Sequence, residues 1–238
     1  MMPIFIITCD RLEVLKESIQ SYHDCIKTPF EIVIIDFGST YKPTLEYLKG
    51  LEQEKVKVYR EKKISRKDDL NNSSGIIQDY FKDRPASNYV VTDPDIALEN
   101  TSGDVLEVYA HLLENFPETP VVGPMLRTDD LPDHYPMKEG VIRWERKINS
   151  KPINTIQYKG KIIKFILTRI DTTFGMNRAG TLWRRSRGAF RVLPPYMAKH
   201  LNWYVDPDNL TQDQKYYREH ASRGIGHSFN WDQPYPGK

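Results

Sequence analysis

Two carboxylates one residue apart, Asp93 and Asp95, follow an apolar and β-branched run at residues 89–92. Such a run predicts a buried strand, and residues one apart on a strand point to the same side of the sheet. Both carboxylates are therefore candidates to bind one hard cation, Mg²⁺ or Mn²⁺, which completes its shell with waters and with phosphate oxygens of a ligand. The alternative is a simple turn, because Asp-Pro-Asp is also favourable turn chemistry.

The chain before these carboxylates alternates strands with helices. Residues 3–8 and 30–35 are apolar runs that predict strands, and the spacing of leucine and isoleucine between them predicts a helix that begins near Leu12. A strand, a helix and a second strand indicate a parallel pair with a crossover connection. Asp10 and Glu13, three residues apart at the start of this helix, are expected to form a capping box.

The same alternation continues to about residue 126. It predicts helices at residues 44–51, 76–81 and 105–116, and strands at residues 56–60 and 120–126. We therefore expect an α/β fold with a mostly parallel, doubly wound central sheet flanked by helices. Ligands of such sheets bind at the carboxyl ends of the strands. The sequence places three polar loops there, at residues 8–11, 36–40 and 93–95.

Beyond residue 126 the alternation ends, and the sequence becomes rich in proline and aromatic residues. Hairpin-like segments are predicted at residues 141–148 and 153–167, and a last helix at about residues 211–222. We therefore divide the chain into a regular first half, residues 1–125, and an irregular second half of the same domain, residues 126–238.

Composition narrows the classes of function. With 238 residues, of which 39% are hydrophobic and 28% charged, the chain can bury a sizeable core. A net charge of +2 and scattered basic residues do not favour a nucleic-acid partner. Cys9 and Cys25 are too few for a disulfide framework, so a reducing, cytoplasmic location is expected. The apolar start lacks the basic flank of a signal peptide, and no stretch approaches the roughly 20 apolar residues of a membrane span.

Three motifs occur in order in the first half, IITCDR at residues 6–11, IIDFGST at residues 34–40 and VTDPD at residues 91–95. With them the chain resembles nucleotide-sugar glycosyltransferases of the GT-A fold, especially those of glycosyltransferase family 2. The second half, with IDTTFG at residues 170–175 and PPYMAKHLNWY at residues 194–204, is similar to a smaller set of bacterial and large-virus sugar transferases, including capsid-glycosylating ones. It lacks a clear Glu-Asp pair where many inverting family 2 members keep a catalytic base.

The resemblance implies a Rossmann-like GT-A domain whose first half binds a nucleotide-sugar donor and whose second half binds the acceptor and covers the site. It implies that Asp36 accepts a hydrogen bond from a uracil base. It also implies a ribose side lined by Thr8, Asp10 and Arg11. For Asp10, a helix N-cap is the alternative role.

The resemblance also implies a metal site in the Asp-x-Asp motif. Asp95 would bind the cation directly, and Asp93 would reach the ribose or a bound water. His200 is the candidate for a further metal ligand, because its flanking proline and aromatic residues indicate an ordered loop. The alternatives are His220 and His227.

Three more residues are candidates for contacts to the substrates. Arg66 could contact the donor, with a solvated surface charge as the alternative. Asp171 follows an apolar run and is a candidate general base or acceptor-orienting carboxylate, with a strand-end cap as the alternative. Asp130, in an acidic loop with Asp129 and Asp133, is a second catalytic candidate on the acceptor side; a merely solvated loop is the alternative.

The expected function is transfer of a hexose or deoxyhexose from a nucleotide diphosphate, with UDP favoured, to a carbohydrate or glycan acceptor with the help of Mn²⁺ or Mg²⁺. A sugar-nucleotide nucleotidyltransferase has a related core but typically carries a Gly-rich loop with a basic residue near its start. This chain has neither glycine nor lysine in residues 1–11. A non-catalytic sugar-nucleotide binding module is a further alternative, although such a module would not need the acids that are present.

Overall fold

The computed structural model describes residues 1–63, 67–185 and 187–220. Within these ranges the strands are β1 (Met2–Thr8), β2 (Phe30–Asp36), β3 (Lys57–Arg60), β4 (Tyr89–Thr92), β5 (Ile96–Ala97), β6 (Val121–Pro124), β7 (Ile153–Tyr158), β8 (Lys161–Ile170), β9 (Gly175–Asn177), β10 (Arg187–Val192) and β11 (Lys199–His200). The helices are α1 (Leu12–Cys25), α2 (Lys42–Gln53), α3 (Ser73–Phe81), α4 (Val105–Asn115), α5 (Lys138–Asn149) and α6 (Gln212–His220). There are also two short 3-10 helices, Lys67–Asn72 and Leu201–Tyr204.

One large sheet contains nine of these strands, in the order β3-β2-β1-β4-β9-β6-β10-β8-β7. Strands β3, β2, β1 and β4 are parallel neighbours, and β10 is parallel to β6. Strand β9 is antiparallel to β4 and β6, and β8 is antiparallel to β10 and β7. The predicted α/β fold with a mostly parallel central sheet flanked by helices is confirmed.

The central strands are buried on both faces, as expected for parallel strands covered by helices. Along β1, Ile4 and Ile6 pack into a large core with residues of α1 and α4. The alternate residues Phe5 and Ile7 pack into a second core with residues of α3. Because helices cover both faces, only the edges of the sheet are left for polar loops.

The second half of the chain is more regular than its composition indicates. The predicted hairpin at residues 153–167 is confirmed as β7 and β8. The hairpin predicted at residues 141–148 was wrong, because this segment lies within α5. Its buried face holds Val141 and Glu145, and Glu145 Oε2 accepts a hydrogen bond from Arg191 Nη1 at 2.6 Å. A buried charged residue at a core position hides the helical period of the apolar residues.

Cys9 and Cys25 are both free thiols, and the Cys25 Sγ lies 2.9 Å from the Thr101 carbonyl oxygen. Among the helices of the described ranges, none has both the length and the apolar character needed to cross a bilayer.

Candidate active site

The polar loops after β1, β2 and β4 meet at one edge of the sheet. Thr8 at the end of β1 is in register with Asp36 at the end of β2, and Ile6 is in register with Thr92 at the end of β4. Because these strands are parallel, their carboxyl ends lie together. The three polar loops that the sequence predicted at the carboxyl ends of the strands are therefore neighbours.

Asp93 and Asp95 lie in a turn between β4 and β5. Strand alternation does not orient this pair, because β4 ends at Thr92 and Pro94 has no N–H to extend a strand ladder. Asp95 is only 4% exposed, and its Oδ2 accepts a hydrogen bond from Arg11 Nη2 at 3.2 Å. Its Oδ1 is buried and has no hydrogen-bond partner among the described residues.

Strand β11 brings His200 to this turn. It pairs antiparallel with β5, so that His200 is in register with Ile96, the residue after Asp95. The imidazole stacks on Trp203 with ring centroids 4.7 Å apart, and its Nδ1 is buried with no partner in the described part of the chain. The alternative candidate His220 stacks on a tyrosine of α6 instead, and His227 lies outside the described residues.

The residues at this turn fit a divalent cation. Asp95 and His200 each present a buried ligand atom that no other described group satisfies, and a carboxylate with an imidazole suits Mn²⁺. Within residues 1–63, 67–185 and 187–220, no three His, Cys, Asp or Glu residues gather into a ready-made metal cluster. A cation on one or two carboxylates normally takes its remaining ligands from water and phosphate. A metal shell that the substrate completes agrees with the two unpartnered ligand atoms and with the lack of a three-residue cluster in the described ranges.

Asp93 belongs to a crowded group of carboxylates. Burial, and then the charges of Asp95 and Asp171, raise the pKa of Asp93 well above its usual range, against the opposing effects of Arg185 and of a hydrogen bond from Thr172. Asp171 is itself held by Arg185, with Nε 2.9 Å from Oδ1 and Nη2 3.2 Å from Oδ2. The structure thus brings the predicted base Asp171 next to the Asp-x-Asp turn. Carboxylates this close to one another favour a bound cation.

Arg11 is an internal cation of the site. It is 5% exposed, donates hydrogen bonds to Asp95 and Asn202, and lies 4.5 Å from the centroid of the Tyr217 ring. Burial alone would lower the pKa of Arg11, but Asp95, Tyr217 and Asp213 together raise it. Asn202, Asp213 and Tyr217 were not predicted as partners of Arg11, because no local sequence pattern connects residues so far apart in the chain.

Asp10 positions a loop, and the predicted capping box is absent. The N-cap residue Arg11 makes no side-chain hydrogen bond to the first turn of α1. At a φ of 51°, Asp10 turns its carboxylate toward the loop after β2, where Oδ1 accepts from the backbone N–H groups of Thr40 and Tyr41 at 2.7 Å each. The N–H of Glu13 donates instead to Asp213 Oδ2 of α6 at 3.1 Å. The cap of α1 therefore comes from the other end of the chain.

Asp36, the predicted contact to the base, closes the turn after β2. Its Oδ1 accepts hydrogen bonds from the Ser39 backbone N–H at 3.2 Å and from the Ser39 hydroxyl, and its Oδ2 lies 3.5 Å from Arg60 Nη1. Burial raises the pKa of Asp36, against the opposing effects of Ser39 and Arg60. Gly38 is required here, because at its φ of +75° a Cβ atom would lie 2.7 Å from the backbone nitrogen of Lys63.

The end of β1 adds two groups at the same edge of the sheet. Thr8 is 3% exposed, and its Oγ1 is buried without a partner among the described residues. Burial, and then the charges of Asp10 and Asp36, raise the pKa of the Cys9 thiol to about 12. The thiol is therefore a neutral lining group, and Thr8 Oγ1 is the group with hydrogen-bonding capacity to spare.

The other acceptor-side candidate, Asp130, lies between β6 and α5. Asp130 contacts Arg127 and Tyr204. The Arg127 N–H donates to the Ala198 carbonyl oxygen at 2.9 Å, which connects the Asp130 loop to the segment leading into His200. Arg66, the predicted donor contact, lies outside the described residues.

No protein-family model and no curated protein matches this chain. Solved structures do match it. The mannosyltransferase PcManGT from Pyrobaculum calidifontis, in complex with GDP-Man and Mn²⁺, is 17% identical with a TM-score of 0.42, over 58% of this chain and 39% of that chain. S. aureus TarS 1-349 in complex with UDP-GlcNAc is 16% identical with a TM-score of 0.39, over 57% and 38%. GalNAc-T7 with UDP, GalNAc and Mn²⁺ is 19% identical with a TM-score of 0.37, over 52% and 23%.

The match spans less than half the length of each of these proteins. These proteins include a mannosyltransferase. At identities and TM-scores this low, the likeness carries no argument about chemistry.

Proposed function

We propose that this chain is a metal-dependent glycosyltransferase that moves a sugar from a nucleotide diphosphate, UDP favoured, to a carbohydrate or glycan acceptor. The observation that carries the proposal is the pairing of β5 with β11 in a separate two-stranded sheet, which sets His200 beside Ile96, the residue that follows Asp95. Asp95 and His200 each have a buried polar atom without a partner among the described residues. Buried polar atoms are costly when unpaired, so both support a ligand at this position.

Asp95 and His200 would hold the cation, with Asp93 as a direct or water-mediated ligand. A divalent cation bound there would neutralise the charge that collects on the diphosphate when the bond from the sugar to phosphate breaks. Arg11 forms an ion pair with Asp95, and Arg185 forms one with Asp171. The two arginines therefore already balance part of the negative charge around the turn. They would keep the turn folded before the donor arrives.

The loops after β1 and β2 would hold the nucleoside. The unpartnered Thr8 Oγ1 supports a hydrogen bond to the ribose, and Asp36 at the neighbouring strand end supports acceptance from the base. Asp10 would act indirectly, because its carboxylate is used to fix the loop that contains Thr40. Arg66 remains a proposed contact to the donor.

Asp171 is proposed as the base. It would take the proton from the acceptor hydroxyl as that oxygen bonds to the anomeric carbon, while the electron pair of the breaking bond passes to the diphosphate. The proximity of Asp171 to Asp93 supports this role, and its ion pair with Arg185 would open when the proton is taken up. Asp130 is proposed to orient an acceptor hydroxyl.

The test is to incubate the full chain with UDP-, GDP- and dTDP-sugars, in Mn²⁺, in Mg²⁺ and in EDTA, and to follow slow hydrolysis to free sugar. We expect hydrolysis with one class of nucleotide, and only with a divalent cation. Donor binding without any turnover would identify a non-catalytic module. Formation of nucleoside triphosphate from pyrophosphate and a sugar nucleotide would identify a nucleotidyltransferase.

A further inference from the structure

The charge of the chain is concentrated in one segment. Residues 138–170 contain nine Lys and Arg against two Asp and Glu, a formal charge of +7 within a chain whose total is +2. The expectation of scattered and balanced basic residues therefore fails for the segment that contains α5, β7 and β8. A local excess of this size indicates a negatively charged partner.

The basic residues on the two faces of the β7–β8 hairpin differ in whether they form ion pairs. On the side of α4, Lys159 Nζ lies 2.6 Å from Glu107 Oε2, and Lys161 Nζ lies 2.7 Å from Asp104 Oδ2. Both acids belong to the start of α4. Lys159 and Lys161 are thus neutralised within the molecule.

The register of the strands identifies the residues on the other side. Arg191 of β10 reaches Glu145 of α5, so its side chain points toward α5. Arg191 is in register with Ile166 of β8, which is in turn in register with Ile153 of β7. Residues in register share a face, and alternate residues along a strand do as well. Ile153 and Ile162 therefore lie on the same side of the sheet as α5.

This side, which we call the α5 surface, combines exposed apolar and basic side chains. Ile153 and Ile162 are 59% and 61% exposed, and Trp144 of α5 is 46% exposed. Among the described residues, the basic residues of this surface form no ion pair; they are Arg143, Arg146, Lys147, Lys151 and Lys164. Apolar side chains that can enter the acyl boundary, surrounded by cations that can meet headgroups, are features of surfaces that bind anionic lipids.

We propose that the α5 surface docks on an anionic lipid surface. Phe165 of β8 is in register with Val192, the carboxyl end of β10, so the hairpin turn at residues 159–160 extends past the carboxyl edge of the sheet. The candidate active site lies at that same edge. A nucleic acid fits less well, because exposed isoleucines offer bases neither hydrogen bonds nor a stacking platform.

The test uses the full chain and co-sedimentation with vesicles of phosphatidylcholine alone or mixed with phosphatidylglycerol. We expect binding only to the mixed vesicles, with an affinity that falls as salt is added. The variant R143Q/R146Q/K147Q should bind on the order of 100-fold more weakly, from the loss of three cations near the headgroups. The matched control K49Q/K55Q/K82Q, which removes three exposed charges elsewhere, should bind like the parent.

A second variant tests the apolar contribution. I153S/I162S should weaken binding to mixed vesicles while the dependence on salt stays unchanged. Equal binding of the parent to both kinds of vesicle would overturn the proposal, and so would an equal loss in both charge variants. Tighter binding of a single-stranded oligonucleotide than of mixed vesicles, lost in R143Q/R146Q/K147Q, would assign the surface to nucleic acid.

Far-UV circular dichroism and thermal unfolding check that each variant is folded. The proposal stands apart from the glycosyl-transfer proposal, because none of the substituted residues belongs to the candidate active site. Hydrolysis of sugar nucleotide by R143Q/R146Q/K147Q in solution is therefore expected to match that of the parent. A chain that binds anionic vesicles but hydrolyses no sugar nucleotide would leave the docking surface intact and remove the proposed enzyme activity.

Discussion

Individual residues of the candidate site could be predicted where the residue type and its position in a motif already indicate a metal ligand. Asp93, Asp95 and His200 were identified that way, and the structure brings His200 beside the Asp95 turn. Arg11 was predicted to line the ribose side of the donor, and this stays a prediction; in the structure its Nη2 donates to Asp95 and Asn202. These partners were not predictable, because the tertiary fold brings them to Arg11 from distant parts of the chain.

Asp95→Asn is expected to abolish turnover and to remove the dependence of donor affinity on Mn²⁺. Asparagine has the same shape and can still accept a hydrogen bond from Arg11, but it lacks the negative charge that a hard cation requires. Calorimetry of UDP-sugar binding with and without Mn²⁺ measures the effect. Asp208→Asn, at an exposed position, is the matched control. A parent whose UDP-sugar affinity is the same with and without Mn²⁺ would count decisively against the metal site.

His200→Ala is expected to weaken Mn²⁺-dependent donor binding by about 1–3 kcal/mol, the scale of one lost charge-assisted contact. The reason is that His200 Nδ1 is the second buried ligand atom without a partner in the described residues. His220→Ala is the matched control, because the His220 ring stacks on Tyr216 of α6. If the His220 variant loses donor affinity at limiting Mn²⁺ and the His200 variant does not, the two assignments must be exchanged.

At the scale of elements, α6 of the second half contacts the loops of the first half through hydrogen bonds and aromatic packing. Asp213 accepts from the N–H of Glu13 at the start of α1, and the Tyr216 hydroxyl lies 3.0 Å from Thr40 Oγ1. Tyr216 also packs against Tyr41, with ring centroids 4.8 Å apart. The sequence predicted the helix itself from its pattern, but its docking position depends on contacts with residues near the other end of the chain.

Asp213→Ala is expected to lower the free energy of unfolding by about 2 kcal/mol. The variant loses the cap of α1, worth roughly 1 kcal/mol, and a buried carboxylate near Arg11. Urea unfolding measures the change, and Asp208→Ala is the control for removal of a carboxylate just before α6. A loss no larger than that of Asp208→Ala would mean that α6 does not cap α1 in solution.

At the scale of the whole molecule, the sequence pattern predicts some strands of the sheet and not others. The parallel strands of the first half were predictable, because β-branched runs buried on both faces leave a clear signal. Strands β9 and β10 were not, since one has three residues and the other pairs only with strands distant in the chain. Short strands are placed by their neighbours, and their positions follow from the assembled sheet.

The position of β9 leads to a prediction about cooperativity. Although β9 belongs to the second half of the chain, it lies between β4 and β6, which belong to the first. A fragment of residues 1–125 would leave both strands without their shared neighbour and expose the apolar residues Val90 and Val122, which are buried in the full chain. We expect this fragment to be unfolded or aggregated by circular dichroism.

The full chain should unfold in urea as one transition, with coincident curves from circular dichroism and tryptophan fluorescence. Two separated transitions, or a folded and monomeric fragment, would show that the first half is stable without β9.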